Sequence, residues 1–208
     1  MQRLDHVMTA PGVSAFLDAV DARLNSNTLL LARSGAGADL ARELAAWLQA
    51  PEFEETLRWA DSARGWDNYW NTVGGERTPL AGRLVRPDAR LRITHIDHDA
   101  LIQRLEWMLN VGGDWYGTAP ERTPEAAQAE ARAFVDALAE ATGSPHDWRW
   151  CQLTPDFLHS HAYFDYLGES EHDEDGGQLA YFDGGGCDGA IAGLSGDVLV
   201  LLLTNGSP

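Results

Sequence analysis

The 208-residue chain contains no lysine; all fifteen of its basic residues are arginine. That absence removes several chemistries at once. A phosphate-binding P-loop, a pyridoxal Schiff base and a serine–lysine nucleophile pair each require a lysine ammonium. An all-arginine basic complement also points to a GC-rich bacterial coding sequence. Cysteine is scarce: Cys151 and Cys187 are the only two, and no secretory signal precedes them. Reduced thiols in a cytoplasmic protein are therefore expected, not a disulfide framework. No stretch approaches the roughly 20 apolar residues needed to cross a bilayer, and "MQRLDHVMTA" carries acid and histidine before any apolar run. A soluble, unexported chain without a membrane partner is the expectation.

Positive charge is short overall, giving a net charge of −17, and its distribution is uneven. Residues 1–150 hold 22 acids against 15 arginines, whereas residues 151–208 hold ten acids and no Lys or Arg. A field of that sign repels phosphate backbones, so nucleic acid is disfavoured and a cationic protein partner is favoured. Solubility is the plainer use of the same charge. The excess is densest in "DFLHSHAYFDYLGESEHDEDGG", Asp156 to Gly177, where three histidines and seven carboxylates stand together.

Periodicity divides the chain. Val13, Phe16, Leu17, Val20 and Leu24 recur at helical spacing, as do Leu40, Leu44, Trp47 and Leu48, and Pro51 opens a third helical segment, "PEFEETLRWADSAR". Residues 74–90 read as a connection, followed by the strand-like "RLRITHI". Asp97 or Asp99 can cap the next helix, which carries Leu101, Ile102, Leu105, Met108 and Leu109 and stops at Gly112 and Gly113. Thr123 and Pro124 start another helix that ends at Gly143. Beyond it the period falls to two: "WRWCQL", "HAYFDYL", "QLAYFD", "GAIAGL" and "DVLVLLLT" read as short strands, with a tight hairpin at Ser195-Gly196.

The expected fold class is α+β, with N-terminal helices packed on a C-terminal, mainly antiparallel β-sheet and the final apolar strand central. A single domain over 1–208 is expected, with a helical part about 11–72, a mixed part about 90–145 and a β-rich acidic part about 148–208.

Five motifs carry possible chemistry. Gly35 and Gly37 in "TLLLARSGAGADLARELAAWL" invite a dinucleotide-binding reading, but the third glycine and a second strand ending in an acid are missing, so a loop between helices is expected. His159 and His161, two apart in a strand-like run with Asp165 on the same parity, could ligate zinc, iron or nickel, with His95 and His98 completing the set. Over about ten residues this loosely resembles the first motif of cupin barrels; Asp165 stands where that motif has glutamate, and the second glycine-proline motif is absent. Cys187, in "DGGGCDGA", is a candidate nucleophile whose neighbouring acids disfavour thiolate. Trp59, Trp66 and Trp70 would line one helix face if the helix continued past Gly65, as core or as a binding surface. Arg77, Arg83, Arg86, Arg90 and Arg92 form the basic cluster, suited to the chain's own surplus acids or to a phosphate.

Glu169 to Asp175 lies between two strand-like segments, so a solvated hairpin loop is expected there. Its carboxylates Glu169, Glu171, Asp173, Glu174 and Asp175, with Tyr166, Tyr181 and Asp183, are the candidate partner-binding residues. A small, acidic, motif-poor α+β protein is similar in kind to immunity proteins, which neutralise toxins by covering their active sites. That likeness implies a cationic toxin domain as partner and no cofactor. The alternative is an enzyme built on His159, His161 and Asp165 with a metal, or on Cys187.

Overall fold

The final strand explains the architecture. Val198–Thr204 is apolar on both parities, which suits a strand covered on both faces, and every residue of it is buried. The computed structural model describes residues 2–24, 26–66, 69–73, 76–79, 84–86, 91–110, 122–144, 147–158, 182 and 187–205. Within them the elements run β1 (Gln2–Arg3), α1 (Asp5–Thr9), α2 (Pro11–Leu24), β2 (Leu29–Ser34), α3 (Leu40–Gln49), α4 (Pro51–Ala63), β3 (Trp70–Val73), β4 (Glu76–Pro79), β5 (Ile93–Ile96), α5 (His98–Asn110), α6 (Pro124–Thr142), β6 (Arg149–Leu153), β7 (Gly189–Ser195) and β8 (Val198–Thr204).

Six strands form one antiparallel sheet in the order β1-β2-β8-β7-β6-β5, so β8 and β7 are central; β3 and β4 form a separate hairpin. The protein is α+β, with helices packed on this sheet. Ser195 pairs with Val198, leaving a two-residue turn at Gly196 and Asp197. Gly196 adopts φ +54°, a conformation open to glycine without the Cβ penalty. Three strands depart from the sequence pattern: β3 and β4 pair as a hairpin where the chain reads as the end of the helical part and a connection, and β2 falls among the helices. Leu29–Ser34 lies inside the segment that periodicity assigns to helices, yet it pairs with β8 from Leu29↔Leu203 to Arg33↔Leu199. Gly35 and Gly37 therefore sit in a strand-to-helix turn, not between two helices. The following helix is capped by Asp39, whose side chain accepts from the Arg42 N–H.

Strand parity sorts the helices into two layers. Gly189 and Thr204 project toward α5, where a Cβ on Gly189 would meet Met108 and the Arg104 guanidinium. Alpha5 packs with α2 and α6, and Phe16 stacks on Phe134 with ring centroids 4.3 Å apart. Gly12 permits this approach, because a Cβ there would lie 2.6 Å from that of Ala137. The opposite face carries Arg33, which reaches Glu43 on α3. Trp47 meets Phe53 edge-on at 5.5 Å and fastens α3 to α4. A single hydrophobic cluster runs through the sheet and both layers.

Helix boundaries follow the local signals. Thr123 accepts from the Ala126 N–H, Pro124 occupies the first turn, and Gly143 closes α6 at φ +62°. Asp97 caps α5 by accepting from the Ala100 N–H at 2.8 Å. Among the described residues no helix is long and apolar enough to cross a membrane.

Candidate functional site

The chain leaves β6 along a firmly held path. The Thr154 N–H donates to the Arg92 carbonyl, the Arg86 N–H donates to the Phe157 carbonyl, and Val85 bridges Leu158. Arg92 reaches the Asp156 carboxylate at 3.1 Å, and Arg86 donates to the Asp156 carbonyl. Two members of the basic cluster thus converge on one of the chain's own acids. Arg83, Arg90 and the side chain of Arg77 lie outside the described residues.

Phe157 and Leu158 are buried, and so is Phe182. The Phe157 and Phe182 rings meet edge-on, with centroids 5.5 Å apart. Residues 159–181 therefore begin and end at neighbouring points of the fold, each anchored by an aromatic ring in the core. Between these anchors, and immediately after them, lie seven of the ten acids of residues 151–208: Asp165, Glu169, Glu171, Asp173, Glu174, Asp175 and Asp183. The other three are engaged. Asp156 faces Arg92, Asp197 accepts from the Gly35 N–H at 3.1 Å, and Asp188 is buried beside β7.

All the partner-binding candidates, Tyr166, Glu169, Glu171, Asp173, Glu174, Asp175, Tyr181 and Asp183, lie outside the described residues, as do His159, His161 and Asp165. His95 and His98 are exposed, on β5 and at the start of α5. Among the described residues no group of three His, Cys, Asp or Glu side chains could hold a metal ion.

Six further arginines among the described residues have partners within the fold. Arg33 pairs with Glu43, Arg58 with Glu54, Arg64 with both Asp18 and Asp21, and Arg122 with Glu130. Arg3 pairs with Asp5 and lies over the Trp59 ring at 5.0 Å. Arg23 donates twice to the Asn110 carbonyl. These guanidiniums are held within the fold. The carboxylates of residues 159–183 have no basic residue in their own stretch to answer them.

The tryptophan stripe does not form. Alpha4 ends at Ala63 and Gly65 takes φ +80°, which turns the chain out of the helix; Trp66 is left 43% exposed and Trp70 falls on β3. Both thiols are free and buried. Burial pushes the Cys151 thiol up to about 11, opposed by a hydrogen bond with the Ala192 backbone, so it is a poor nucleophile. Cys187 interacts electrostatically with Arg104, a cation from α5 that the local sequence around the cysteine does not announce.

Sequence reasoning passed over one polar residue. Arg33 is a charge within the apolar run "LLLARS" and is 3% exposed. Its Nη2 donates to the Glu43 carbonyl and carboxylate, each at 3.1 Å, and its guanidinium lies 5.3 Å from the Trp47 ring centroid. Burial lowers its proton affinity, partly offset by Glu43. The available signal was that lone cation in a buried strand. Comparison with protein-family models, with curated proteins and with solved structures finds no match for this chain.

Proposed function

We propose that this protein is an acidic binding protein that associates with a cationic protein surface, and that it acts as an immunity-type inhibitor of a bacterial toxin in the cytoplasm. One observation carries the reading: seven carboxylates follow Leu158 within 25 residues with no Lys or Arg among them, and this stretch starts and returns at the Phe157–Phe182 contact. The negative charge is thereby concentrated in one short stretch of the chain. A concentrated field of one sign steers a partner of the opposite sign and speeds encounter. Glu169, Glu171, Asp173, Glu174 and Asp175 supply the charge, while Tyr166 and Tyr181 offer amphipathic contact area suited to an interface.

The test replaces Glu169, Glu171, Asp173, Glu174 and Asp175 together by Ser or Asn. Solvated charges contribute little to stability, so the melting temperature should stay close to wild type. Association with the partner, recovered from the source cytosol or from a neighbouring gene, should slow by about tenfold or more at low salt. The wild-type association rate should fall as added salt shortens the screening length to about 8 Å. Dissociation should change less, and the substituted chain should protect cells less well from the partner's toxicity. A substituted protein that associates at the wild-type rate at low salt would remove the acidic stretch from the interface.

A further inference from the structure

Of the six asparagines in the chain, one precedes a glycine: Asn205, followed by Gly206. Glycine has no Cβ, so the backbone nitrogen after this asparagine is unhindered by its own side chain in approaching the carboxamide. The sheet supplies a second element. Asn205 directly follows β8, whose last residue, Thr204, is buried and pairs with Gly189. Its carboxamide Oδ1 accepts a short hydrogen bond, 2.7 Å, from the Asn27 backbone N–H. That donor is pinned on both sides. Ser26 Oγ and the Thr28 N–H both donate to Asp21 Oδ1, and Thr28 Oγ1 donates to Thr204 Oγ1 at 3.2 Å. Donor and acceptor therefore belong to two segments tied to one another, the stretch before β2 and the end of β8.

An N–H fixed on an amide oxygen draws electron density from the amide carbon and stabilises the negative charge that the oxygen gains when a nucleophile adds. The Gly206 nitrogen lies one residue along the same chain, so its attack needs no encounter. We propose that Asn205 is a site of spontaneous covalent modification, at which the Gly206 nitrogen adds to Cγ of Asn205 while the Asn27 N–H holds the oxyanion. The attacking nitrogen gives its proton to water, the Cγ–nitrogen bond of the carboxamide breaks, and ammonia leaves after taking a proton from water; a succinimide ring remains. Water then adds to either ring carbonyl and reopens it. The product carries aspartate at 205 or isoaspartate, in which the main chain runs through the former side-chain carboxyl. No oxidant or cofactor enters. The aspartate form gains a negative charge and keeps an oxygen for the Asn27 N–H, whereas the iso-form lengthens the main chain by a methylene and displaces that oxygen. The site lies at the end of the central strand and does not depend on the protein-binding reading above.

Incubation of the full chain in mildly alkaline buffer, followed by chymotryptic peptide mapping with mass spectrometry, tests it. Asn205 should convert to a mixture of aspartate and isoaspartate ahead of the other five asparagines, with ammonia released in step. Gly206→Ala should slow the conversion at least about tenfold, because its Cβ crowds the attacking nitrogen. The part played by Asn27 is read by repeating the incubation in urea. Conversion should be at least as fast in the folded chain as in the unfolded one, where the backbone is freer but the held donor is lost. An Asn205 that stays intact, or a conversion rate unchanged by Gly206→Ala, overturns the inference. Conversion several times slower in the folded chain than in urea overturns the role given to the Asn27 N–H.

Discussion

Gly193 gives the sharpest test of how the central sheet is assembled. It pairs with Trp150 across β6 and β7, and a Cβ built on it would lie 2.6 Å from Cε3 and 2.8 Å from Cη2 of that indole, and nearer still to Cζ3. The ring cannot simply retreat. Trp150 is 5% exposed and stacked on Trp148, with centroids 5.0 Å apart and planes inclined by 20°. Overpacking of this kind costs about 1–3 kcal/mol, against a gain of about 0.5–1 kcal/mol from replacing a strand glycine. Because three ring atoms are involved, the upper part of the range applies, and Gly193→Ala should destabilise by about 2 kcal/mol. With a urea m-value of about 2 kcal/mol/M, the unfolding midpoint should fall by about 1 M.

The mechanism is specific, so it can be separated from a general intolerance of β7. In a Trp150→Leu background the alanine should cost less than about 0.5 kcal/mol, a coupling of at least about 1 kcal/mol. Urea unfolding of the four proteins, followed by far-ultraviolet circular dichroism, measures this directly. An unchanged midpoint for Gly193→Ala, or strict additivity with Trp150→Leu, would refute the register that sets Trp150 against Gly193.

Further outcomes follow from buried polar groups. Asp21 accepts from Ser26 Oγ, the Thr28 N–H and Arg64, so Asp21→Asn should cost about 2 kcal/mol at neutral pH, read by denaturant unfolding. Burial nevertheless holds the Asp21 carboxyl above its ordinary 3.8, with Thr28 and Arg64 pulling it back. The folded state therefore binds this proton more readily than the unfolded chain. As pH rises from 3.8 through the folded value, the wild type should lose stability relative to Asp21→Asn, and a difference that grows with pH across that window would contradict this. Cys151, with its thiol near 11, should resist iodoacetamide at pH 8 in the native protein, and denaturant should release two alkylatable thiols; rapid native labelling of Cys151 by mass spectrometry would contradict its burial.

Local sequence determined those parts of the protein whose partners are close along the chain. Thr123, Pro124 and Gly143 delimit α6, Asp97 caps α5, Pro51 opens α4, and "GAIAGLSGDVLVLLL" contains its own hairpin. Each depends on hydrogen bonds or backbone conformations reached within a few residues. Charge is also additive along a chain, so the acidic excess of residues 151–208 was readable without a fold.

Tertiary structure decided what depends on distant neighbours. "LLLA" is too short for its period to separate strand from helix, and it is a strand because β8, some 170 residues away, supplies its hydrogen bonds. That pairing carries Arg33 into the core beside Trp47 and Glu43. The same kind of long-range choice sets Arg104 against Cys187 and brings Phe182 back to Phe157. Spacing records which residues share an element; only the assembled sheet and its two helical layers record which elements meet, because burial and pairing are properties of surfaces brought together by the whole chain.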